Sequence, residues 1–327
     1  MSATSRAKHE VVLDYLHRYP SIGSTKIAEL IIEEVPRLFE DCERARSMIR
    51  YYRGMSGEKH RKGVMNNSYT PKVSMPASDE ESYEPYLLGE AFPMLVCSDI
   101  HIPYHDQDAL EIALERGIDI GAKTVILLGD VVDFYQASIF TQDPRRRDVA
   151  DEIAMLREVL TRIRAAFPKA NIVYKFGNHE ERFDLYLMRN APALFGLESM
   201  HLKEQVGLAE MKIDVVTNKR LIRAGHLNLI HGHEYSFSIS NPVNPARGLY
   251  LRAKKSTLCG HFHQSSNHTE RSINGDIISC WSLGCLCGLH PEYRPLNSWS
   301  HGFAEIYHDE EEMFSVKNRL IVRYRLV

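Results

Sequence analysis

The sequence has no apolar run that approaches the roughly 18 residues needed to cross a membrane. Its first residues, MSATSRAKHE, lack the apolar segment of a secretory signal peptide. Cysteine is sparse, with six residues and no CxxC pair. Cys97 and Cys259 lie in apolar runs, where a free thiol behaves as a small hydrophobe. Internal repeats and low-complexity tracts are also missing. We therefore expect a reduced, cytoplasmic protein with no membrane partner.

Charge of one sign is not in excess, since 40 basic residues stand against 43 acidic residues and the formal net charge is −3. This balance argues against a wholly basic protein that coats nucleic acid. The distribution is uneven, because residues 1–75 carry 13 basic and 9 acidic residues while the remainder carries 27 and 34. A chain of 327 residues allows two domains, or one large domain with an appendage.

Residues 1–55 predict a module of three short helices, because apolar residues recur there at helical spacing. The third helix has an apolar face and a second face that carries Arg46, Arg50 and Arg53. This pattern fits a helix-turn-helix-like module and, equally, a small helical bundle whose arginine face is solvated. Residues 56–90 are poor in large apolar side chains and predict a linker or an extended docking segment.

Residues 91–327 predict a single α/β domain. Five apolar runs that end in polar residues predict strands: FPMLVCSD, KTVILLGD, ANIVYKFGN, LNLIHGH and STLCGHFH. Helical stretches separate the first three runs, which is typical of βαβ units around a buried sheet. After Asn267, the segments GDIISCW, GFAEIYH and LIVRYRLV predict further strands.

Residue types that bind metals follow each of the five apolar runs. The run ends supply Asp99 and His101, Asp130 and Asp133, Asn178 and His179, His231 and His233, and His261 and His263. In α/β sheets, the loops at the carboxyl ends of the strands converge on one crevice. A single DxH or HGH segment indicates little, but five such ends in one chain predict a shared site.

The chemistry of these side chains favours transition metals. Carboxylates, imidazoles and a carboxamide are present, and this set is too rich in nitrogen for Ca²⁺ or Mg²⁺. Manganese is the expected ion, with iron, nickel, cobalt and zinc as alternatives. Seven or eight ligands exceed the needs of one ion, so we expect two divalent ions that share one bridging carboxylate, the arrangement used for in-line displacement at phosphorus.

The segments SDIH, GDVVD, GNHE, HGH and GHFH, in this order, resemble the motif series of the calcineurin-like metallophosphoesterases over about residues 92–325. The resemblance implies a four-layer α/β/β/α sandwich with a dinuclear metal site at the strand edges. It implies that one ion is held by Asp99, His101, Asp130 and His263. It implies that a second ion is held by Asp130, Asn178, His231 and His261.

The resemblance places His179 beside the metals and outside the ligand set, where it can protonate the leaving oxygen. An imidazole titrates near neutral pH, which agrees with this role. Asp133 is expected to orient His179, and a helix N-cap before FYQASIF is the alternative. The predicted substrate-binding residues are His233, Tyr104, Tyr293 and Arg294.

The long segment at residues 284–302, GCLCGLHPEYRPLNSWSHG, offers further substrate contacts. Its ring-bearing and basic residues are His290, Tyr293, Arg294 and Trp299. They can stack on bases and pair with phosphate, or the two larger aromatic residues can pack as a lid on the core. Cys285 and Cys287 have no identifiable activating base, so we expect them to be small residues packed in a tight turn.

The expected reaction is in-line attack on phosphorus by a hydroxide that bridges both metals, with a proton donated by His179. We expect a phosphodiesterase that acts on nucleic acid or nucleotides, so that DNA or RNA is a predicted partner. Two alternatives stay open. One is a phosphomonoesterase, such as a protein phosphatase, whose N-terminal module binds a partner; the other is a non-catalytic DNA-binding protein. The oligomeric state is not predicted.

Overall fold

The computed structural model describes residues 3–20, 22–54, 79–80, 83–89, 91–140, 143, 145, 148–235, 243–308 and 314–327. Most of the predicted linker at residues 56–90 therefore lies outside the described residues. The chain divides into two compact units, Met1–Glu81 and Ser82–Val327. None of the described helices is long and apolar enough to cross a membrane.

The first unit is a small helical bundle. Its helices are α1 Ala3–Arg18, α2 Ser24–Glu34 and α3 Cys42–Tyr52. The buried side chains of its core are Val12, Tyr15, Ile27, Ala28, Ile31, Phe39, Ala45 and Ile49. Asp41 caps α3 by accepting a hydrogen bond from the backbone N–H of Arg44 at 2.7 Å. The predicted N-terminal helical region is present, and the helix-turn-helix assignment stays a prediction.

Arg53 does not contribute to the predicted arginine face of α3. Its guanidinium donates hydrogen bonds to the loop before α2, to the carbonyl oxygen of Ile22 and to the hydroxyl of Ser24. Arg46 is paired with Glu43 of the same helix, with 2.7 Å between nitrogen and oxygen. The charge that this face can offer to a phosphate backbone is therefore smaller than the sequence predicts.

The second unit contains two β-sheets. Its strands are β1 Tyr86–Leu87, β2 Met94–Cys97, β3 Thr124–Leu128, β4 Asn171–Lys175, β5 Ile213–Val216, β6 Ile222–Ala224, β7 Leu227–Ile230, β8 Thr257–Cys259, β9 Ser266–Arg271, β10 Ile277–Ser282, β11 His301–His308, β12 Phe314–Val322 and β13 Arg325–Leu326. One sheet has the order β13-β12-β11-β2-β3-β4-β5, in which β2 to β5 are parallel. The other has the order β1-β6-β7-β8-β10-β9, in which β7, β8 and β10 are parallel.

Helices cover the outer faces of both sheets. They are α4 Gln107–Asp119, α5 Val149–Ala166, α6 Asn178–Asn190, α7 Pro192–Phe195, α8 Leu202–Val206 and α9 Pro245–Ala253. Short 3₁₀ segments occupy Tyr135–Ala137 and Glu198–Met200. The helices α4 and α5 pack on the seven-stranded sheet, and α9 packs on the six-stranded sheet.

Alternation along the strands produces the layers. In β2, Leu95 and Cys97 face the helices α4 and α5, whereas Met94 and Val96 face the other sheet. The same alternation occurs in β3. The resulting core between the two sheets includes Ile126, Leu128, Val173, Leu229 and Leu258. The predicted α/β fold, with two sheets between helical layers, is confirmed.

The five apolar runs predicted to be strands are β2, β3, β4, β7 and β8. β2, β3 and β4 are neighbours in one sheet and run parallel, and β7 and β8 are parallel neighbours in the other. Because parallel neighbours end at the same edge, the residues that follow these strands emerge at one rim of each sheet.

Candidate metal centre

Tight turns follow the strands and bring their polar residues together. Several of these residues have φ angles between +52° and +70°: Asp99, His101, Asp130, His261 and His263. The left-handed region is uncommon for residues with a side chain, and such backbone strain concentrates at functional sites. The sequence segments therefore leave their strands abruptly and direct their side chains into one place.

Two glycines allow these turns to approach each other. A Cβ atom on Gly260 would lie 1.9 Å from the hydroxyl oxygen of Ser98. A Cβ atom on Gly129, whose φ is +88°, would lie 2.4 Å from Nδ1 of His231. Both distances are far below van der Waals contact, so only glycine allows the segments to pack this closely.

The first cluster joins residues from the ends of β2, β3 and β8. Nε2 of His263 lies 3.1 Å from Oδ1 of Asp99 and 3.1 Å from Nε2 of His101. Nε2 of His101 lies 3.9 Å from Oδ2 of Asp130. Burial opposes protonation of His263, but the charge of Asp99 outweighs it and raises the pKa of His263 to about 10. These buried donor atoms form a concentrated negative and nitrogen-rich environment that suits a cation.

The second cluster lies on the other side of Asp130. Nε2 of His231 is 3.1 Å from Oδ2 of Asp130, while its Nδ1 is 2.8 Å from the carbonyl oxygen of Leu128. That carbonyl accepts from Nδ1–H and leaves Nε2 with its lone pair toward the cluster. Burial and the neighbouring His231 lower the pKa of His261 to about 4, which favours the neutral imidazole that binds metals.

Unpaired buried atoms provide a test of whether these residues fit metal ions. Within the described part of the chain, Oδ1 of Asn178, Nε2 of His231 and Nδ1 of His261 are buried and lack a hydrogen-bond partner. Such atoms are costly unless a ligand satisfies them. The ligand atoms of His101, Asp130 and His179 lie within 4.8 Å of one another, as do those of Asp130, His231 and His261. The donor set therefore fits two ions, with Asp130 common to both groups.

Cys287 lies beside the first cluster, which the sequence did not indicate. Its sulfur is 3.8 Å from Nδ1 of His263, and its ligand atom lies within 4.8 Å of those of His101 and His263. Cys285 and Cys287 are both buried, as expected for small residues packed in a turn. His301 contacts the carbonyl oxygen of Cys287 at 3.0 Å.

Asp133 lies between two imidazoles. Its Oδ1 is 2.9 Å from Nδ1 of His101 and 3.1 Å from Nδ1 of His179. Burial alone would raise the pKa of Asp133, but the hydrogen bonds from both histidines lower it below its ordinary value. The alternative N-cap role is absent, because the 3₁₀ segment after Phe134 has no side-chain cap. Nε2 of both histidines consequently points away from Asp133 toward the Asp130 carboxylate.

Glu180 is a buried residue of the site that the sequence interpretation missed. Its carboxylate accepts hydrogen bonds from the backbone N–H groups of Asp130 and Val131 at 3.0 and 2.7 Å. It also accepts from the N–H of Gly177 and the hydroxyl of Tyr174, both at 2.7 Å. Glutamate at the third position of a helix is a known capping signal, and here it fixes the turn that carries Asp130.

Replacing Glu180 with alanine should lower the free energy of unfolding by about 3 kcal/mol, because several buried donors would lose their acceptor. Urea unfolding followed by circular dichroism measures this change. Glu115, an exposed residue of α4, provides the matched control, and its alanine variant should change stability by less than about 0.5 kcal/mol. Equal effects of the two substitutions would exclude the clamping role of Glu180.

A second missed carboxylate holds the HGH turn. Glu234 accepts hydrogen bonds from the backbone N–H groups of His231 and Gly232 at 2.9 and 2.6 Å. Nζ of the buried Lys175 lies 2.9 Å from Glu234 Oε1. Burial opposes ionisation of Glu234, but Lys175 and the nearby histidines lower its pKa to about 2. This buried ion pair fixes the backbone from which His231 projects.

A cavity of about 740 Å³ opens beside the first cluster and is lined by His101, Asp133 and His263 at its inner end. Two of the predicted substrate-binding residues, Tyr104 and Tyr293, line it. The other two, Arg294 and His233, are not among its lining residues. Arg294 is exposed, and Nε2 of His233 lies 3.1 Å from Oε1 of Glu181 on the other side of the centre.

Comparison with known proteins gives one family match. The profile of the calcineurin-like phosphoesterases matches residues 92–272. The gene 54 protein of Mycobacterium phage L5 is 25% identical over 224 residues, which cover 64% of this chain and 87% of the phage protein. Two solved structures share similarity at low identity. Vacuolar protein sorting 29 from Cryptosporidium parvum is 13% identical with a TM-score of 0.39, covering 72% of this chain and 93% of its own. The E. coli phosphoesterase Yfce is 16% identical with a TM-score of 0.32, covering 69% and 98%.

Proposed function

This chain belongs to the calcineurin-like phosphoesterases, hydrolases of phosphate esters, and from this premise we propose that it is a metal-dependent phosphodiesterase acting on nucleotides or nucleic acid. The observation that carries the proposal is the position of Asp130. Its carboxylate belongs to two separate groups of ligand atoms, one with His101 and one with His231 and His261. A carboxylate shared between two groups is the arrangement of dinuclear sites that act at phosphorus.

The proposed ligands divide into two sets. Asp99, His101, Asp130 and His263 would hold one ion. Asp130, Asn178, His231 and His261 would hold the other. Bound cations would neutralise charge on the phosphate and lower the pKa of a bound water toward neutrality. Manganese is the ion that we propose, because oxygen and imidazole donors both suit it.

His179 is proposed to hold the proton that the leaving oxygen needs. Its Nδ1 is held by the carbonyl oxygen and the carboxylate of Asp133, at 2.9 and 3.1 Å. Its Nε2, 3.7 Å from Oδ2 of Asp130, is therefore the atom that faces the reacting phosphate. Burial lowers the pKa of His179, but the charges of Asp130 and Asp133 outweigh it and raise the pKa, so the doubly protonated ring is favoured. A general acid with this orientation can protonate an alkoxide.

The cavity favours a diester over a monoester. Its described lining residues include the acids Asp133 and Glu292 and no lysine or arginine. A phosphate monoester is a dianion near neutral pH, and its second charge would meet no cationic side chain in this cavity. A diester carries one charge and a second organic group, for which the cavity provides space.

Hydrolysis of two chromogenic substrates tests this preference. With Mn²⁺ present, kcat/KM for bis(p-nitrophenyl) phosphate should exceed that for p-nitrophenyl phosphate by at least about tenfold. Release of nitrophenolate measures both reactions, and Glu115→Gln in α4 is the control variant. A tenfold preference for the monoester would identify a phosphomonoesterase. Absence of turnover with manganese, iron, nickel, cobalt or zinc would identify a non-catalytic protein.

A further inference from the structure

The cavity beside the first cluster is built by two loops. One follows His101 and contributes Tyr104 and His105. The other follows β10, contributes Tyr293 and Trp299, and joins the first through a backbone hydrogen bond. The residues proposed to hold the second ion do not line this cavity, so any group bound here extends from the first ion alone.

The lining is unusually rich in flat rings. Besides two of the proposed metal ligands, it includes Tyr104, His105, Tyr135, His290, Tyr293 and Trp299. The rings are connected, since the centroid of Trp299 lies 4.0 Å from that of His263 and 6.4 Å from that of Tyr293. Tyr293 is 74% exposed, so one face of its ring is open for contact. Stacked rings of this kind bind planar ligands.

The charge of the cavity restricts the ligand further. The described lining carries Asp133 and Glu292 as its acidic residues and lacks lysine and arginine. A chain of phosphates would meet repulsion there, and the side chain of a phosphopeptide would find no ring-shaped complement. A volume of about 740 Å³ is within the range of pockets for small organic ligands.

We infer that this cavity binds the nucleobase of the substrate, with the phosphate at the Asp99–His263 side of the centre. The inference rests on the proposed function for the position of the phosphate. Base stacking on tyrosine and tryptophan is tolerant of sequence because every base has a flat face. The chemistry that recognises the ligand is thus a planar heteroaromatic ring attached to a phosphodiester. A free nucleotide ester and the end of a single strand both supply it.

Adenosine is a direct probe because it carries the ring without the phosphate. Equilibrium dialysis of the full-length protein with labelled adenosine should show saturable binding. Tyr293→Ala should weaken that binding by about 5- to 100-fold, the scale of one lost base stack. Leu296→Ala is the matched control, because Leu296 belongs to the same loop, is 92% exposed and does not line the cavity. Its variant should bind adenosine as the wild type does.

A pair of chromogenic diesters tests the same site during turnover. Thymidine 5′-(p-nitrophenyl phosphate) should have a higher kcat/KM than methyl p-nitrophenyl phosphate, and Tyr293→Ala should remove most of this advantage while sparing the methyl ester. Adding a thymidine tetranucleotide as competitor distinguishes the sources. Inhibition tighter than by thymidine 5′-methylphosphate supports a strand end, and equal inhibition supports a free nucleotide, both with the base in the cavity.

The outcomes separate this inference from the proposed function. Hydrolysis of bis(p-nitrophenyl) phosphate without saturable adenosine binding would overturn the nucleobase site and leave the phosphodiesterase intact. Adenosine binding without turnover of any ester would support the nucleobase site and overturn the proposed activity. Equal losses for Tyr293→Ala and Leu296→Ala would show a general effect on the loop and overturn the inference.

Discussion

Replacing Asp130 with alanine is expected to abolish metal binding and hydrolysis together. Its two oxygens face different partners, since Oδ1 accepts the N–H of His179 at 2.9 Å and Oδ2 lies 3.1 Å from Nε2 of His231. Oδ2 is also 3.9 Å from Nε2 of His101 in the first cluster. Removing a carboxylate that serves both groups should therefore empty both. Because the cations supply several kcal/mol of transition-state stabilisation, kcat/KM should fall by at least about 10⁴-fold.

Calorimetric titration with Mn²⁺ and diester turnover measure the two effects of Asp130→Ala. The control is Glu115→Gln, which removes one exposed carboxylate far from the strand ends in the fold of α4 and should change neither. Circular dichroism verifies that the variant is folded. A folded Asp130→Ala protein that still binds manganese with wild-type stoichiometry would show that the two groups do not share this residue.

His179→Gln should keep the metals and slow the reaction according to the leaving group. The contact that joins this residue to Asp130 is made by its backbone N–H, which the substitution does not remove. Loss of a general acid lowers rates by about 10²- to 10⁴-fold. We expect a loss of this size for a dinucleotide, whose alkoxide needs a proton. We expect a much smaller loss for bis(p-nitrophenyl) phosphate, because nitrophenolate leaves without one.

The comparison of leaving groups is an internal control for His179→Gln, since both substrates use the same protein preparation. Titration with Mn²⁺ shows whether the metal sites are intact. Equal losses for the two substrates would argue against proton donation. Loss of manganese from the variant would instead assign His179 to the metal ligands.

The fold was readable where burial dominates the sequence. β2 and β3 are buried on both faces, so they read as continuous apolar runs that end at polar residues. The position of Asp99 and Asp130 at the ends of these strands followed from the same runs. Because parallel strands end at one edge, their convergence with His263 could be expected before any coordinates were available.

The supporting carboxylates were not readable in the same way. Glu180 and Glu234 look like ordinary polar residues after a glycine or a histidine. Their roles depend on backbone N–H groups of other segments, such as that of Val131, and on the buried Lys175. A single sequence does not show which distant donors a carboxylate meets, although the third helical position of Glu180 was a usable signal.

Long polar segments were the least predictable part. Tyr293 and Arg294 are adjacent in sequence, yet only Tyr293 lines the cavity. The direction of a side chain in a loop depends on local turns, and no periodic pattern reports it. Arg53 illustrates the same limit, because its helical face indicated solvent while its guanidinium binds the loop before α2 through Ser24.

Elemental analysis of the purified full-length chain, after dialysis against excess Mn²⁺ and removal of unbound metal, tests the account most directly. The proposed ligand sets require close to two manganese ions per chain. A chain that retains no manganese, or one ion that does not depend on Asp130, would contradict a shared pair of cations at the strand ends.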